Sequence, residues 1–452
     1  MKVAASAKVK QVLLLLSLVW SPVSCYTPSN SGQGFGKKPG PTKKKNAAVT
    51  ASSDTEQKYL QPFGLELKSN NDGDDDYRSV QTLNDRSAGD ILLEIPLQDT
   101  ITVDSIRSRL ASCNSKETEE VVDEEDALAL GLLRLRQEVS DPYIRNVLPQ
   151  QHYNMWTLPG DLWKEVSDLM PRCYSETFGA TRQRVNKFAT QIAESKNFDF
   201  SIDDVLWVFS MVRSRSLAVP ELNDNPSGDG IALALIPGLD LLNHEFGSGT
   251  QLQLVEGESE SSSKWVLTSS DSIAAGSEVF LSYGDEKDNW KLLLTYGFAL
   301  PSNPNAVVFW SWRDLLDAAN TARPDTFSER VCKQLMRHPQ LEAYTVLSEQ
   351  RATFSYDVKA NAPRESLANG LIMLNSLAGQ LGKPEPDGDV LGQQVLEALL
   401  SRRLEELQDG QSRLNALEGS LGDEHSEWKP LLESLRIALQ AEQEQLQQSN
   451  TN

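Results

Sequence analysis

Two tyrosines and an asparagine–histidine pair carry most of the chemistry this sequence offers. Tyr283 closes the run Glu278-Val279-Phe280-Leu281-Ser282-Tyr283-Gly284, and Tyr296 opens Tyr296-Gly297-Phe298. Asn243 and His244 end the stretch Ile236-Pro237-Gly238-Leu239-Asp240-Leu241-Leu242-Asn243-His244, which Arg213-Ser214-Arg215-Ser216 precedes. A tyrosine combines an apolar ring with a terminal hydroxyl, which suits the wall of a channel. Asparagine and neutral histidine each offer a donor and an acceptor. Taken singly, each piece has a plainer reading. Asn243-His244 reads as a turn with a satisfied histidine, Tyr283 as a core residue at a strand end, and Arg213 and Arg215 as a solvated helix face. Asp240 reads as a buried acceptor for backbone amides. Their order and spacing as a set argue for a site. Other chemistries find less support. Cys25, Cys113, Cys173 and Cys332 are the only cysteines; with the first in a targeting segment, an odd number remains and none has metal-ligand spacing, so neither a disulfide framework nor a zinc site follows. Carboxylates are many, but they lie in acidic runs such as Glu117 to Asp126 with no placed acid/base pair, which argues against a secreted hydrolase.

The elements that must position these residues follow from hydrophobic period. Asp72 to Asp76 is a polar turn, and Asp90-Ile91-Leu92-Leu93-Glu94-Ile95-Pro96 reads as a strand near a sheet edge. From Asp123 the period becomes helical, with an acidic first turn and Ala127, Leu128, Leu130, Leu132, Leu133 and Leu135 behind it. Helical character continues to about Leu217, and its last helix, Ile202 to Leu217, starts after Ser201 as a cap. Strand-like runs return at Ile231 to Ile236, at Gln251 to Val255 paired as a hairpin with Lys264 to Thr268, and at Glu278 to Ser282. A helical stretch from Asp285 leads to Tyr296-Gly297, and beyond Pro301 the chain reads as almost wholly helical, ending in a Gln/Glu/Leu-rich segment from Val390.

A chain of 452 residues, 39% of them hydrophobic, is long enough for two or three domains. Its formal charge is −21, and the eight charged residues before Asp54 are all lysines, so the body behind them is more acidic still. Such a body disfavours nucleic-acid binding and leaves open a protein partner with a basic patch or an exposed lysine. Lys2, Lys8 and Lys10 precede the apolar run Val12 to Trp20, and Val23-Ser24-Cys25 has the small residues of a cleavage site, the plan of a signal peptide. The run is too short for stable membrane insertion. Residues 26 to 53 then hold five lysines and no acid, as a transit peptide does. The two together resemble the bipartite leaders of algae with secondary plastids, with Tyr26 at the junction, and predict delivery to the plastid stroma; ordinary secretion is the alternative. Against secretion, the chain has no Asn-X-Ser/Thr acceptor and few cysteines.

As a set, the Asn-His pair after an apolar stretch with Asp, the strand ending in Ser-Tyr-Gly and the Tyr-Gly-Phe resemble the SET domain. The spacing and the helical insertion are similar to the Rubisco large-subunit lysine methyltransferase subgroup. Gly89 to Pro96 and Pro142-Tyr143-Ile144-Arg145-Asn146-Val147-Leu148-Pro149 also match it, and the likeness runs from about Asp72 to Pro301. The resemblance implies an α+β fold, a β-rich SET domain over residues 58–300 with a helical insertion at about 123–217. An all-α substrate-binding domain over 301–445 follows it, and a leader divided into 1–25 and 26–57 precedes it. It implies S-adenosylmethionine as cofactor, no metal, and methylation of a lysine on a protein such as Rubisco or fructose-bisphosphate aldolase. Histidine methylation, or a SET scaffold that binds protein with reduced catalysis, are the alternatives. Carried over to this chain, Tyr283 is the catalytic residue; Asp76, Tyr77, Arg78, Asn243 and His244 bind cofactor; Arg215, Asp240, Tyr283 and Tyr296 contact the substrate or shape its channel.

The chemistry explains why such residues are wanted. Methyl transfer from a sulfonium needs a neutral nucleophile held in line and water excluded. A lysine with a reference pKa of about 10.4 is mostly ammonium at neutral pH, and an aromatic channel beside a sulfonium favours its neutral form. Two positions depart from the family pattern. Tyr77-Arg78-Ser79 stands where the family has a Gly-X-Gly turn, which makes close approach to the cofactor harder, and Gln251-Leu252-Gln253-Leu254-Val255 lacks the tyrosine common there.

Overall fold

A computed structural model describes residues 56–69, 78–111, 123–139, 141, 143–149, 152–195, 198–220, 231–257, 262–336, 354–380 and 388–449. The leader expected over residues 1–57, except for its last two residues, the turn at Asp72 to Asp76, and the site residues Asp76 and Tyr77 lie outside them. The first sheet pairs β1 (Leu65–Ser69) with β2 (Arg78–Thr82) antiparallel, Leu65 facing Thr82 and Leu67 facing Val80. The alternation Leu-Glu-Leu-Lys of β1 is a half-buried strand pattern that the sequence reading passed over. A three-stranded sheet follows. Its edge is β3 (Ile91–Pro96), as expected, and it pairs with the hairpin of β7 (Thr250–Val255) and β8 (Lys264–Ser269) in the order β3-β8-β7. The register of β3 shifts between Ile91 and Leu93, and both Leu92 and Leu93 are fully buried. A bulge of this kind lets consecutive side chains escape strict alternation.

Between β3 and β7 lies the helical insertion: α1 (Val103–Ala111), α2 (Glu124–Arg134), α3 (Gly160–Ser167), α4 (Arg172–Glu194) and α5 (Ile202–Arg215). Asp123 caps α2 by accepting from the Glu125 amide at 2.9 Å. Ser201 and Asp204 form a reciprocal capping box on α5, each side chain accepting from the other's backbone amide, at 3.1 and 3.0 Å. One face of α5 buries Val205, Val208, Phe209, Met211 and Val212. The helix stops at Arg215, two residues short of the expected Leu217, because Ser216 turns extended and Leu217 begins a strand. That strand, β4 (Leu217–Pro220), pairs antiparallel with β5 (Ile231–Ala234).

The chain then returns through a turn at Gly238, whose φ of 93° suits glycine and where a Cβ would meet Tyr59 at 3.0 Å. It enters β6 (Asn243–His244), which pairs parallel with β9 (Phe280–Leu281) in the register Asn243 to Phe280 and His244 to Leu281. The expected strand from Glu278 to Ser282 is thus only two residues of ladder, since Ser282 is drawn into a turn by its hydroxyl donating to Asp285 at 2.6 Å. The helix expected from Asp285 starts later, as α6 (Asn289–Tyr296), where Asp288 accepts from the Trp290 and Lys291 amides at 2.9 and 3.0 Å. Gly297, left-handed at φ 88°, ends it.

Beyond Pro301 the chain is mainly helical, with α7 (Trp312–Ala322), α8 (Glu329–Leu335), α9 (Glu365–Gln380), α10 (Gly388–Ser420) and α11 (Lys429–Ser449). The all-α reading of this region needs one correction. A small sheet of β10 (Val307–Trp310), β11 (Phe354–Asp357) and β12 (Ala362–Pro363) sits among the helices. Val307-Val308-Phe309-Trp310 is a β-branched and aromatic run, the composition that favours a strand. These helices pack onto the body through buried polar contacts. Arg403 of α10, 1% exposed at its side chain, donates to Glu442 of α11 at 3.1 Å and to the Phe309 carbonyl, and Glu442 in turn accepts from the indole of Trp290 on α6. No helix among the described residues is long and apolar enough to cross a membrane.

Candidate functional site

The two-residue parallel pair β6–β9 sets Asn243-His244 beside the segment that ends in Tyr283. The backbone N–H of Tyr283 donates to Nδ1 of His244 at 3.0 Å, and the two rings stack at 5.2 Å and 22°. An Nδ1 that accepts leaves the proton of the neutral imidazole on Nε2. Burial, reinforced by the Lys287 charge, holds His244 below the ordinary histidine range, so it is neutral near pH 7. Nε2 is therefore a donor, and it is buried without a hydrogen-bond partner among the described residues. A buried donor of this kind calls for an explanation.

Asn243 works as a clasp. Its Nδ2 donates to the Arg78 carbonyl and to Glu278 Oε1, both at 2.7 Å, joining β2 to the approach of β9. Two acceptors identify that side of the amide as nitrogen, so what Asn243 can offer to a ligand is its carbonyl oxygen. Arg78 extends across to the insertion and donates to the Val147 carbonyl at 3.0 Å.

Tyr283 donates its hydroxyl to the Leu242 carbonyl at 2.7 Å, and its ring lies 4.7 Å from that of Tyr296. Phe298 completes the aromatic group, 6.0 Å from Tyr296 and 6.1 Å from His244. Gly297 allows the chain to turn back here; a Cβ on it would meet that of Asn154 at 2.9 Å. Burial, and next the neighbouring Tyr283, raise the Tyr296 hydroxyl, so it stays protonated. A small pocket, open to solvent, is lined by Tyr283 and Tyr296 together with Arg215, Ser216, Ile236 and Asp240.

Arg215 and Asp240 meet in its wall. One Arg215 nitrogen donates to the Asp240 carbonyl at 2.7 Å and to its carboxylate at 3.3 Å, Tyr143 donates to the same carboxylate at 2.5 Å, and the Gly238 amide to its other oxygen at 3.1 Å. The carboxylate is only 1% exposed, which makes Asp240 part of the frame of the channel. Arg213, by contrast, turns away to Glu125 at 2.6 Å and stacks on Trp156 at 4.3 Å.

The structure thus brings together Arg78, Arg215, Asp240, Asn243, His244, Tyr283 and Tyr296. It adds two residues that the sequence reading missed. His152, pushed down to about 3 by burial and then by Arg215 and Arg78, is hydrogen-bonded to Ser210 of α5. Lys287 is buried against Tyr296. His152 sits in an ordinary polar loop and Lys287 in a charged run, and neither local pattern signals burial. No group of three or more His, Cys, Asp or Glu that could hold a metal ion occurs among the described residues.

No family model matches the chain. It is similar to SET domain-containing protein 4 of Artemia parthenogenetica, 26% identical over 257 residues that cover 54% of this chain and 60% of the relative. It is 32% identical over 107 residues to the chloroplastic ribulose-1,5-bisphosphate carboxylase/oxygenase large subunit N-methyltransferase of Pisum sativum, covering 23% of this chain and 20% of that one. The chain thus spans less than two thirds of the length of these relatives. Two solved structures match almost its full length. The SET domain of LSMT bound to lysine and AdoHcy has a TM-score of 0.54 at 18% identity, covering 90% of this chain and 93% of that one. Rubisco LSMT bound to AdoMet has 0.54 at 19%, covering 90% and 91%. The expected SET-type α+β fold with a helical region is present, and the likeness to the Rubisco methyltransferase group holds in sequence and in fold.

Proposed function

We propose that this protein is an S-adenosylmethionine-dependent protein-lysine methyltransferase. The observation that carries the reading is the shared cavity of Tyr283 and Tyr296, with Tyr283 bonded through its backbone to His244 and through its hydroxyl to Leu242. The chemistry of the neighbouring donor set suits the cofactor. The Nε2–H of His244 is a buried donor in want of an acceptor, and the Asn243 carbonyl oxygen is an acceptor for an ammonium or amino group. Arg78 belongs to the same set. S-adenosylmethionine, when bound, supplies a methyl group on a positively charged sulfur.

The residues of this chain would prepare the nucleophile. A lysine side chain that enters the cavity lined by the Tyr283 and Tyr296 rings loses its hydration, which favours the neutral amine over the ammonium. With its own proton committed to Leu242, the Tyr283 oxygen can accept an amine N–H and so turn the nitrogen lone pair outward. Arg215 and Tyr143 fix Asp240, which with Arg215 lines the same pocket. The helical region beyond Pro301 would supply the docking surface, since a single side chain in a narrow channel buries too little area for a specific partnership.

The substrate we infer is a protein with an exposed lysine. The pea relative is named for the Rubisco large subunit, and both that protein and fructose-bisphosphate aldolase are first candidates, reached in the plastid through a leader over residues 1–57. Incubation of the purified protein with radiolabelled S-adenosylmethionine and each candidate, followed by peptide mass spectrometry, tests the reading. Label on a lysine ε-amine supports it, whereas label on histidine or on nothing contradicts it. A fluorescent fusion of the leader should enter the plastid in a cell with secondary plastids; accumulation in the medium would instead establish secretion.

A further inference from the structure

Lys287 lies in the run Asp285-Glu286-Lys287-Asp288, which reads as a solvated turn, yet it is only 6% exposed. Among the described residues it is the only buried lysine. Its backbone is pinned, its carbonyl accepting from Asn303 at 3.1 Å and Asn305 at 3.3 Å. Its ammonium has no hydrogen bond or ion pair among the described residues, and the ring it approaches is that of Tyr296, 5.7 Å from the centroid. A lysine whose stem is buried against a ring and whose ammonium forms no ion pair adds little to folding, so its placement needs another reason.

The charged groups around it do not cancel it. Lys291 on α6 is a second cation, engaged with Asp288 at 3.7 Å and lying over Phe309 at 4.5 Å. Asp288 is committed to capping α6, and Asp285 to the Ser282 hydroxyl. Burial first, and Lys291 second, push Lys287 down to about 8, so it is charged at neutral pH. Its field reaches His244, where it opposes the imidazolium. From the Tyr296 ring to Tyr283 is 4.7 Å, and from Tyr283 to His244 5.2 Å. The cation therefore stands one ring away from the lysine channel.

We propose that Lys287 is an electrostatic positioning residue whose ammonium, held against Tyr296, disfavours a second protonated nitrogen among these rings and so keeps the incoming amine and His244 neutral. The inference rests on the lysine-methyltransferase reading and deepens it. A like charge in a desolvated site acts on groups that can shed a proton; a sulfonium cannot, so the effect falls on the amine.

The test compares full-length wild type, Lys287→Met and Lys287→Arg by two readouts. The first is the pH profile of kcat on an identified protein substrate, which reports groups in the bound complex. Lys287→Met should move the rise of kcat to higher pH by about one unit, or about tenfold in turnover on the rising limb. Lys287→Arg, which keeps the charge, should leave the midpoint in place. The second is the His244 imidazole titration by NMR, which needs no substrate, and its midpoint should rise in Lys287→Met. Turnover that falls equally at every pH, or an unmoved His244, overturns the proposal. A shifted His244 in a protein that methylates no lysine supports the charge placement while the methyltransferase reading fails.

Discussion

At the scale of the residue, the Tyr283 hydroxyl is useful because its proton already has a place to go. Bonded to the Leu242 carbonyl, it presents lone pairs to whatever enters the cavity and needs no rearrangement as charge develops. Tyr283→Phe removes that oxygen and leaves the ring contacts with Tyr296 and His244. It should cut kcat by about 100-fold or more, on the scale of losing one preorganised polar group, with affinity for S-adenosylmethionine unchanged in calorimetry. Wild-type turnover in the variant would remove Tyr283 from the reacting centre. The residues of this site were legible in the sequence where their spacing is local. Asn243, His244, Tyr283 and Tyr296 come together because short strands and one helix separate them. Lys287 and His152 were not legible, because what buries them comes from distant segments, Asn303 and Asn305 for the one and α5 for the other.

At the scale of the element, α6 links the site to the helical region. Its last residue is Tyr296, and its second residue, Trp290, donates to Glu442 of α11, which Arg403 of α10 also holds. Removing one partner of a buried ion pair leaves the other uncompensated, so Arg403→Met should cost about 3–5 kcal/mol of stability. The double variant Arg403→Met/Glu442→Gln should regain much of that loss. Chemical denaturation of both variants checks this, and a small loss in the single variant would mean that the pair is not strained by burial. The helices of this region were readable from apolar spacing. The sheet β10–β11–β12 was not, since its strands are two to four residues long and β10 pairs with β11 across more than forty positions of sequence.

At the scale of the whole molecule, the body and helical region are also joined by Arg172 of α4, which donates to Asp314 at 3.0 Å and Asp317 at 2.6 Å on α7. Burial works to raise the Asp314 carboxyl, but Arg172 and then the Ser311 cap hold it below its ordinary value. A carboxylate lowered on folding contributes stability that is full above its unfolded value of about 4 and is lost as pH falls through the folded value. The wild type should therefore lose stability below about pH 4 more steeply than Asp314→Asn, as thermal unfolding across that range would record. Equal slopes would show that Asp314 contributes nothing to the acid response.

The central claim is that the Asn243, His244 and Arg78 set, with Tyr283 beside it, receives S-adenosylmethionine although Tyr77-Arg78-Ser79 replaces a glycine turn. Arg78 and Ser79 lie extended in β2 with no positive φ, and a strain of about 1–3 kcal/mol that arose only with the cofactor bound would weaken binding by about 5- to 150-fold. Calorimetric titration of the purified full-length protein with S-adenosylmethionine tests this most directly, run beside Asn243→Ala and a variant with glycine at positions 77 and 79. The account predicts saturable binding to the wild type, tighter binding to the glycine variant and loss of binding in Asn243→Ala. No heat of binding at millimolar cofactor in either the wild type or the glycine variant would contradict it, and the fold would then serve as a protein-binding scaffold.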